Sequence, residues 1–433
     1  MSNRHEAWEL AQYQALPLDA KIRMSLNRIR QWYEHFNGNV VVSFSGGKDS
    51  TVLLHLVRSI YPDVPAVFSD TGLEYPEIRR FAMSQENINI VRPKMRFPEV
   101  IRTYGYPIIS KEVAEAIYYS RRIGGGRTTQ RKQRELNGDR LIEDERKYSS
   151  NGSSFWDKEP SHRDVNRKEQ TYRPTRTNVS GGGYELVDTS QSRYKRTMLL
   201  GKLSGAGVTE GRRSQFNKDK WLPVARDMPF PISHYCCQIM KKLPMKSFHS
   251  KEKLAPFIGT LAVESQVRRQ AWLRHGCNAF DSRSPTSQPL SFWTEQDILE
   301  YISVYHLPIC SVYGEIVPEE NQISLDDDHP KLRCTGCQRT GCVFCGFGAH
   351  LDRDRFTRLK ETHPQLYRYC IEGGMWADNP AYDPDAPEYD GEWKNWNPQK
   401  IWVPSLKGLG MGRVFEMLNE QYSKNGKEFI KYK

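Results

Sequence analysis

The residue types best suited to chemistry occur together in one short segment, Ser45-Gly46-Gly47-Lys48-Asp49-Ser50-Thr51. Its two adjacent glycines allow a sharp turn that directs several backbone N–H groups toward one point. The three hydroxyl side chains add further donors, and Lys48 adds a mobile positive charge. Because these groups together suit an anionic oxygen ligand, the segment predicts a site for a phosphate or pyrophosphate. A glycine turn without a ligand is the alternative interpretation.

The flanking residues predict a strand before this loop and a helix after it. Val40 to Phe44 is an apolar run typical of a buried parallel strand, and residues 51–57 have the composition of the following helix. The amino-terminal end of that helix would add the positive end of its dipole. This order of elements favours a bound ligand over an empty turn. The spacing differs from the G-x-x-x-x-G-K-[ST] phosphate loop.

Short strands and helices alternate over much of the remaining chain. Strands are predicted at residues 64–69, 88–91 and 255–263, and helices at residues 76–84, 97–104, 264–275 and 294–305. Thr294 stands at the N-cap of the last helix and Asp297 at its capping-box position. This alternation predicts an α/β fold with a doubly wound parallel sheet and a ligand at the carboxyl ends of the strands.

Four stretches of the chain resemble known nucleotide-binding proteins. Residues 45–50 resemble the S-G-G-x-D-S signature of the PP-loop adenine nucleotide α-hydrolase superfamily. Residues 68–77 and 258–265 resemble the D-T-G-x-x-x-P-E and G-x-R-x-x-E-S stretches of phosphoadenylylsulfate (PAPS) and adenylylsulfate (APS) reductases, and residues 293–308 resemble their W-x-x-x-D-V-x-x-Y-I stretch. The chain is most similar to PAPS reductase family proteins, some of whose relatives act in DNA phosphorothioation or tRNA thiolation.

This resemblance implies a bound adenine nucleotide, either ATP or the sulfonucleotides PAPS and APS, together with Mg²⁺. The residues expected to bind the nucleotide are Ser45, Gly46, Gly47, Lys48, Asp49, Ser50, Thr51, Asp70, Thr71, Gly72, Gly259 and Glu264. Lys48, Asp49 and Cys236 are the expected catalytic residues.

The chain differs from the reductase pattern at two places. Leu261 stands where the reductases have an arginine, and Arg268 or Arg269 on the next helix could replace that cation. The reductases carry their nucleophilic cysteine in a carboxyl-terminal E-C-G-x-H tail, whereas the last cysteine here is Cys370. We therefore expect ATP-dependent sulfur transfer to a nucleic acid, with sulfonucleotide reduction and a nucleotide-sensing regulatory or defence role as alternatives.

The cysteines form a second group of candidate functional residues. Four of the nine form two C-x-x-C pairs, Cys334/Cys337 and Cys342/Cys345, and Cys236-Cys237 stand far upstream. Such spacing allows neighbouring thiolates to bind one metal centre. Two ligand sets remain open. The four late cysteines could bind zinc, whereas the resemblance to APS reductases implies a 4Fe–4S cluster held by Cys237, Cys337, Cys342 and Cys345.

The positive charge is concentrated in one segment. Residues 120–220 contain 23 lysines and arginines against 13 aspartates and glutamates, whereas the whole chain has a net charge of +11. Tyrosine, tryptophan and phenylalanine are interspersed among these cations, a combination suited to phosphates and unstacked bases. We expect a Gly-rich basic insertion, with short hairpins, that binds DNA or RNA. A surface for a protein partner or for self-association is the alternative.

The length predicts more than one domain. We expect a PP-loop half at residues 1–111, the basic insertion at 112–228, the second half of the α/β domain with the cysteines at 229–349, and a carboxyl-terminal extension at 350–433. No apolar run approaches the ~18–20 residues of a membrane span, and no apolar signal region follows Met1. Together with the clustered cysteines, these features predict a cytoplasmic protein without membrane contact.

Overall fold

In the computed structural model, the described residues are 5–121, 176–178, 184–186, 203, 217–282, 284–319, 331–390 and 393–433. They belong to two units: residues 1–94 with 241–343, and residues 95–240 with 344–433. The four segments expected from the sequence remain a prediction. Most of the basic insertion lies outside the described residues.

The first unit contains a six-stranded sheet with the order β3-β2-β1-β7-β9-β8. Its strands are β1 (Val40–Phe44), β2 (Ala66–Ser69), β3 (Ile88–Val91), β7 (Ala255–Ile258), β8 (Asn278–Ala279) and β9 (Thr286–Ser287). All neighbours pair in parallel except β8, which pairs antiparallel to β9 at one edge. The expected α/β fold with a mostly parallel, doubly wound sheet is confirmed.

The chain order of the strands explains where the site lies. Strand β1 has β2 on one side, with Val42 opposite Ala66, and β7 on the other, with Val42 opposite Phe257. The carboxyl ends of these three parallel strands therefore meet at one edge.

The predicted strand at 255–263 is too long. It ends at Ile258, because residues 262–264 form a 3₁₀ turn instead.

Helices cover the sheet of the first unit. They are α1 (Ala7–Gln14), α2 (Leu18–His35), α3 (Lys48–Arg58), α4 (Pro76–Met83), α8 (Leu243–Glu252), α9 (Gln266–His275) and α10 (Glu295–Val304). Trp32 of α2 is fully buried and packs near Phe257 of β7, and Trp293 is buried before α10. Helix α10 has the predicted capping box, since Thr294 accepts from the Asp297 N–H and Asp297 accepts from the Thr294 N–H.

The second unit is built from shorter elements. Its helices are α5 (Phe97–Tyr104), α6 (Lys111–Ser120), α7 (Leu222–Asp227), α11 (Arg355–Thr362), α12 (Pro364–Ile371) and α13 (Met411–Tyr422). Its paired strands are β4 (Ile108–Ile109) with β12 (Gly346–Phe347), β5 (Arg176–Asn178) with β6 (Tyr184–Leu186), β13 (Gly374–Asp378) with β16 (Lys400–Pro404), and β14 (Tyr389–Asp390) with β15 (Trp393–Lys394). The β5–β6 pair is antiparallel and lies within the basic insertion, which agrees with the expected short hairpins. The first unit also contains the pair β10 (Ile316–Pro318) and β11 (Leu332–Cys334).

Arg121, at the start of the basic insertion, is not a surface cation. It is buried beside α7, and its guanidinium donates to the carbonyls of Val224, Ala225, Met228 and Phe230. The guanidinium also lies 4.3 Å from the centre of the Trp396 ring, and burial lowers its pKa to about 9. Although residues 120–220 were expected to bind nucleic acid, Arg121 is not available for such a contact, because its donors are used within the second unit.

Within the part of the chain that the structure describes, no helix has both the length and the apolar character needed to cross a membrane.

Candidate functional site

The Ser45–Thr51 loop connects β1 to α3 and is held in shape by its own hydroxyl groups. Gly46 has φ +73°, and a side chain there would approach the Ile78 carbonyl within about 3.0 Å, so glycine is required. Ser50 and Thr51 donate to the Gly47 carbonyl at 2.8 and 3.0 Å. The Ser50 hydroxyl also accepts from the Ser45 N–H at 3.2 Å, and the Ser45 hydroxyl accepts from the Gly47 N–H at 3.3 Å. A phosphate oxygen could replace these acceptors.

Lys48 at the first position of α3 is buried and pairs with two carboxylates. Its Nζ lies 3.1 Å from Asp49 Oδ1 and 3.2 Å from Glu295 Oε1 of α10. Burial by itself lowers the pKa of Lys48, but the charges of Asp49 and Glu295 outweigh it and hold that pKa above its ordinary value. Lys48 therefore remains a cation at neutral pH beside the loop that could receive an anion.

Tyr313 supports the loop from a distant part of the sequence. Its hydroxyl accepts from the Lys48 N–H at 3.2 Å and lies 2.6 Å from the Thr340 hydroxyl. Burial raises the pKa of Tyr313 to about 12, so the phenol stays neutral. The Cys334-Thr335-Gly336-Cys337 turn packs on the same segment, since Gly336 N–H donates to the Tyr313 carbonyl at 2.8 Å. The loop and this cysteine turn therefore both form hydrogen bonds with Tyr313.

Gly259 and Glu264 follow β7, which pairs with β1, the strand that precedes the loop. A side chain at Gly259 would come within about 3.1 Å of the Asp49 carbonyl, so the start of α3 packs closely against this glycine and would have to shift to admit a larger residue. Glu264 accepts from the Leu261 N–H at 3.0 Å and pairs with Arg268. Burial lowers the pKa of Arg268, and the nearby charge of Asp49 only partly offsets that effect. Arg268 is thus a cation near Asp49, and its replacement of the cation missing at Leu261 stays a prediction.

Asp70 and the two residues after it follow β2. The buried Asp70 carboxylate accepts from Arg79 at 2.9 and 3.0 Å and from Arg92 at 3.0 Å. The Arg79 hydrogen bonds are the main reason that its pKa is lowered. Thr71 donates its hydroxyl to Glu74 at 2.8 Å, whereas Gly72 has φ +70° and open space around it. Asp70 thus fixes two arginines at this edge of the sheet.

A further cation, Lys241, lies near the same strand end and was not expected from the sequence. Its Nζ is 3.3 Å from Glu74 Oε1. Burial lowers the pKa of Lys241, but the neighbouring Cys342 and Glu74 raise it more, and the net shift is upward. Within the first unit, Glu74 therefore links Thr71 to Lys241, and Lys241 in turn contacts Cys342.

The candidate metal ligands are distributed over both units. Cys337 and Cys342 belong to the first unit, whereas Cys237 and Cys345 belong to the second. Burial raises the pKa of Cys345, and Cys237 is close enough to raise it further. All nine cysteines lie in the described ranges and none forms a disulfide. Among the described residues, no group of three or more His, Cys, Asp or Glu side chains has the arrangement of a metal site, so the cluster stays a prediction. Cys236, the expected catalytic thiol, is buried in the second unit.

The structure brings together most of the residues predicted for the nucleotide and adds others. The carboxyl ends of β1, β2 and β7 carry the loop, Asp70–Gly72 and Gly259. Sequence reasoning missed Glu295, Tyr313 and Lys241. Glu295 occupies a first-turn position whose ordinary role is to stabilise the helix dipole, and no local pattern distinguishes it. The contact of Lys48 with Tyr313 joins residues 265 positions apart.

Three curated proteins illustrate what the chain is similar to. It is 37% identical over 95 residues to an uncharacterised protein of Methanocaldococcus jannaschii, an alignment that covers 21% of this chain and 20% of that protein. It is 32% identical over 73 residues to an adenosine 5'-phosphosulfate reductase of Geobacillus kaustophilus, covering 17% and 31%. It is 43% identical over 54 residues to a phosphoadenosine 5'-phosphosulfate reductase of Serratia proteamaculans, covering 12% and 22%. The chain thus spans only a fifth to a third of the length of these relatives.

A family model covers much more of the chain. The model of the phosphoadenosine phosphosulfate reductase domain matches residues 39–112 and 183–346, together more than half of the chain. These residues include the loop, the strand ends around it and both C-x-x-C pairs. On this evidence the chain belongs to the phosphoadenosine phosphosulfate reductase domain family, within the PP-loop superfamily.

Proposed function

We propose that the protein is an enzyme that uses ATP to activate an acceptor, a nucleic acid, for sulfur transfer. The observation that carries this proposal is the loop at the carboxyl end of β1, where a buried and charged Lys48 lies between Asp49 and Glu295. A lysine that stays protonated beside backbone and hydroxyl donors is suited to the charge of a triphosphate.

The chemistry follows from that arrangement. The β- and γ-phosphates of ATP would take the positions of the Ser45 and Ser50 hydroxyl acceptors on the loop, with Lys48 neutralising their charge. Attack of an acceptor oxygen on the α-phosphorus would give an adenylated acceptor and release pyrophosphate. Sulfide-level sulfur, held by the cluster or delivered at Cys236, would then attack the adenylated carbon, so that a C–S bond forms while the C–O bond breaks and AMP leaves.

Two carboxylates at the loop fit a Mg²⁺ ion that accompanies the nucleotide. Asp49 and Glu295 both lie beside Lys48 and retain partial exposure. Mg²⁺ is commonly held by one or two carboxylates together with substrate phosphates. When bound, the ion would supply charge neutralisation at the leaving pyrophosphate.

Calorimetry with ATP, APS and PAPS tests the choice of nucleotide. We expect ATP to bind more tightly than either sulfonucleotide, and Lys48→Ala and Asp49→Ala to weaken ATP binding or abolish turnover. Turnover is followed as AMP and pyrophosphate release from α-labelled ATP. Equal ATP affinity in the wild type and in both variants would remove the loop from the proposal.

Sulfonucleotide reduction is the second candidate, because two of the relatives named above are APS and PAPS reductases. That reaction needs an accessible thiol. Cys370, the last cysteine of this chain, is fully buried, and its thiol donates to Met411 Sδ at 3.6 Å. Burial also raises its pKa, so Cys370 is unsuited to nucleophilic attack. Tighter binding of APS or PAPS than of ATP would favour this second candidate.

The proposed acceptor rests on the charge of residues 120–220, most of which lie outside the described residues. Phosphate contacts release counterions, so binding of DNA or RNA should fall steeply with salt. Deletion of residues 124–211, or charge reversal at Arg122, Arg131 and Lys132, should abolish a low-salt gel shift and leave ATP binding intact. Arg121 is excluded from the reversal because it supports the second unit. Absence of any gel shift with the intact protein would contradict the nucleic-acid acceptor.

The proposed 4Fe–4S cluster is tested without reference to activity. Protein purified anaerobically should contain about four iron and four sulfide per chain, and Cys237→Ser, Cys342→Ser and Cys345→Ser should each lose them. Cys277→Ser is a matched control outside the proposed ligand set. Stoichiometric zinc without iron would instead favour the four late cysteines as ligands.

A further inference from the structure

A cavity in the first unit lies apart from the phosphate-binding loop. It has a volume of about 190 Å³, and its described lining residues include none from residues 45–51. The residues that matter for its chemistry come from α1, α2, α9 and the segments after β8 and β9: Tyr13, Arg28, Trp272, His275, Phe280 and Phe292.

The walls of this cavity are aromatic. The Tyr13 ring meets Trp272 at 5.8 Å and Phe292 at 6.0 Å between ring centres, both edge to face. An engineered apolar cavity of about 150 Å³ is large enough to bind benzene. The space here is therefore sufficient for one aromatic ring with a small substituent, in contact with rings that favour edge or offset packing.

One buried donor at the cavity has only a weak acceptor. Trp272 is 2% exposed, and its indole N–H meets the Cys277 sulfur and no oxygen or nitrogen acceptor among the described residues. The group that it faces is the thiol of Cys277, whose pKa is raised by burial. That thiol is neutral, and sulfur is a weak acceptor. Because the sulfur satisfies this buried donor only weakly, an oxygen acceptor from a bound molecule would be a better partner for the indole N–H.

The charged groups around the cavity favour an anion. Arg28 also faces Cys277, so its guanidinium and the Trp272 N–H approach the same place. His5 and His275 are two further basic groups of the described lining, which includes no aspartate or glutamate. The nearest carboxylate in the structure's ion pairs is that of Glu9, which lies 3.4 Å from His5 Nδ1. A planar carboxylate matches a guanidinium and can accept from the indole N–H at the same time.

We propose that this cavity binds a small monocyclic aromatic carboxylate. The ring lies among Tyr13, Phe292 and Trp272, whose indole also packs against His5 at 4.8 Å between ring centres, and the carboxylate accepts hydrogen bonds from the Trp272 indole and the Arg28 guanidinium. The site is independent of the nucleotide loop.

Calorimetric titration of the full chain with benzoate tests the site, and tryptophan fluorescence provides a second readout. We expect saturable binding of benzoate, and weaker binding of both benzamide, which lacks the charge, and cyclohexanecarboxylate, which lacks the aromatic ring. Trp272→Phe keeps the ring and removes only the N–H, so benzoate binding should weaken about fivefold. Arg28→Gln should weaken it about tenfold.

Trp8→Phe is the matched control, because Trp8 is 61% exposed on α1 and does not line the cavity. It should bind benzoate as the wild type does, and all variants should keep the wild-type affinity for ATP. Lack of saturable benzoate binding to the wild type would overturn the proposal. So would equal affinities for benzoate and benzamide, a comparison that needs no variant and therefore does not depend on whether any variant folds.

Discussion

Two buried lysines of the first unit, Lys21 on α2 and Lys48 on α3, differ in what their surroundings allow. Each pairs with a carboxylate from the first turn of the same helix, α10. Lys21 pairs with Asp297 and Lys48 with Glu295. Two positions in the first turn of one helix therefore hold one lysine inside the core and one at the phosphate-binding loop.

The surroundings of Lys21 are closed and complete. Its Nζ donates to both Asp297 oxygens and to the Gln14 carbonyl, each at 2.7 Å. Asp297 also accepts from the N–H and hydroxyl of its own cap residue, Thr294. The Lys21 ammonium and both oxygens of Asp297 have hydrogen-bond partners within the unit, so the role of this ion pair is structural.

The surroundings of Lys48 are open on the carboxylate side. The side chains of Asp49 and Glu295 are 25% and 40% exposed, whereas Lys48 itself is 5% exposed. Its partners can thus turn toward water when another anion arrives. The comparison shows that burial alone does not distinguish a structural lysine from a binding one, whereas the exposure of the carboxylate partners distinguishes the two.

The largest expected effect is on stability, from Lys21→Met. Removing one member of a buried ion pair leaves the other charge uncompensated, which costs about 3–5 kcal/mol in the free energy of unfolding. Urea denaturation measures the loss, and ATP affinity of the folded protein should not change. In the double variant Lys21→Met/Asp297→Asn part of the loss should be recovered, since no buried charge is left unpaired. Additive losses in that double variant would show that the pair is not the cause.

Lys48→Ala should show the opposite behaviour. Loss of a charge-assisted contact to phosphate should weaken ATP binding about 10- to 100-fold, measured by calorimetry. The free energy of unfolding should change less than in Lys21→Met, because the partners of Lys48 can be solvated. A variant that loses stability as severely as Lys21→Met would break the comparison, since Lys48 would then be a structural residue as well.

Asp70→Asn tests a buried carboxylate whose partners are exposed arginines. The three hydrogen bonds from Arg79 and Arg92 favour the ionised form, so the neutral amide should lower stability by about 2 kcal/mol at neutral pH. The folded-state pKa of Asp70 is lowered. Its contribution is therefore fully present above the ordinary aspartate pKa of about 3.9 and is lost as pH falls through the lowered value.

Denaturation curves at decreasing pH provide the measurement. The difference between wild type and Asp70→Asn should shrink as the solution becomes more acidic. A difference that stays constant with pH would mean that Asp70 does not act through its charge.

The smallest expected effect comes from Glu295→Gln. This change removes one carboxylate that competes with phosphate for Lys48 and keeps the size of the side chain. An ion pair with a partly exposed partner contributes about 0.2–1 kcal/mol, so ATP should bind about two- to fourfold more tightly in the absence of Mg²⁺. If Glu295 is a Mg²⁺ ligand, that gain should disappear when Mg²⁺ is present. Calorimetry with and without the ion separates these two roles.

Sequence alone determined the parts of this protein that local patterns encode. The strand, the glycine turn and the helix at residues 40–58 lie next to one another in the chain, and the loop between them needs no distant residue to be recognised. The same holds for the Thr294–Asp297 capping box, which spans a single helical turn. The alternation of strands and helices also predicted the sheet, since parallel strands require crossover helices.

Only the tertiary structure decided which distant groups meet the loop and which cations are available. Glu295 and Tyr313 reach Lys48 because α10 and the segment after it pack beside α3, a contact that residue spacing does not encode. Arg121 looks like one more cation of a basic segment, yet its guanidinium is held by four carbonyls of the second unit. A charge in the sequence acquires a role only when folding determines whether its partner is water, a backbone carbonyl or a carboxylate.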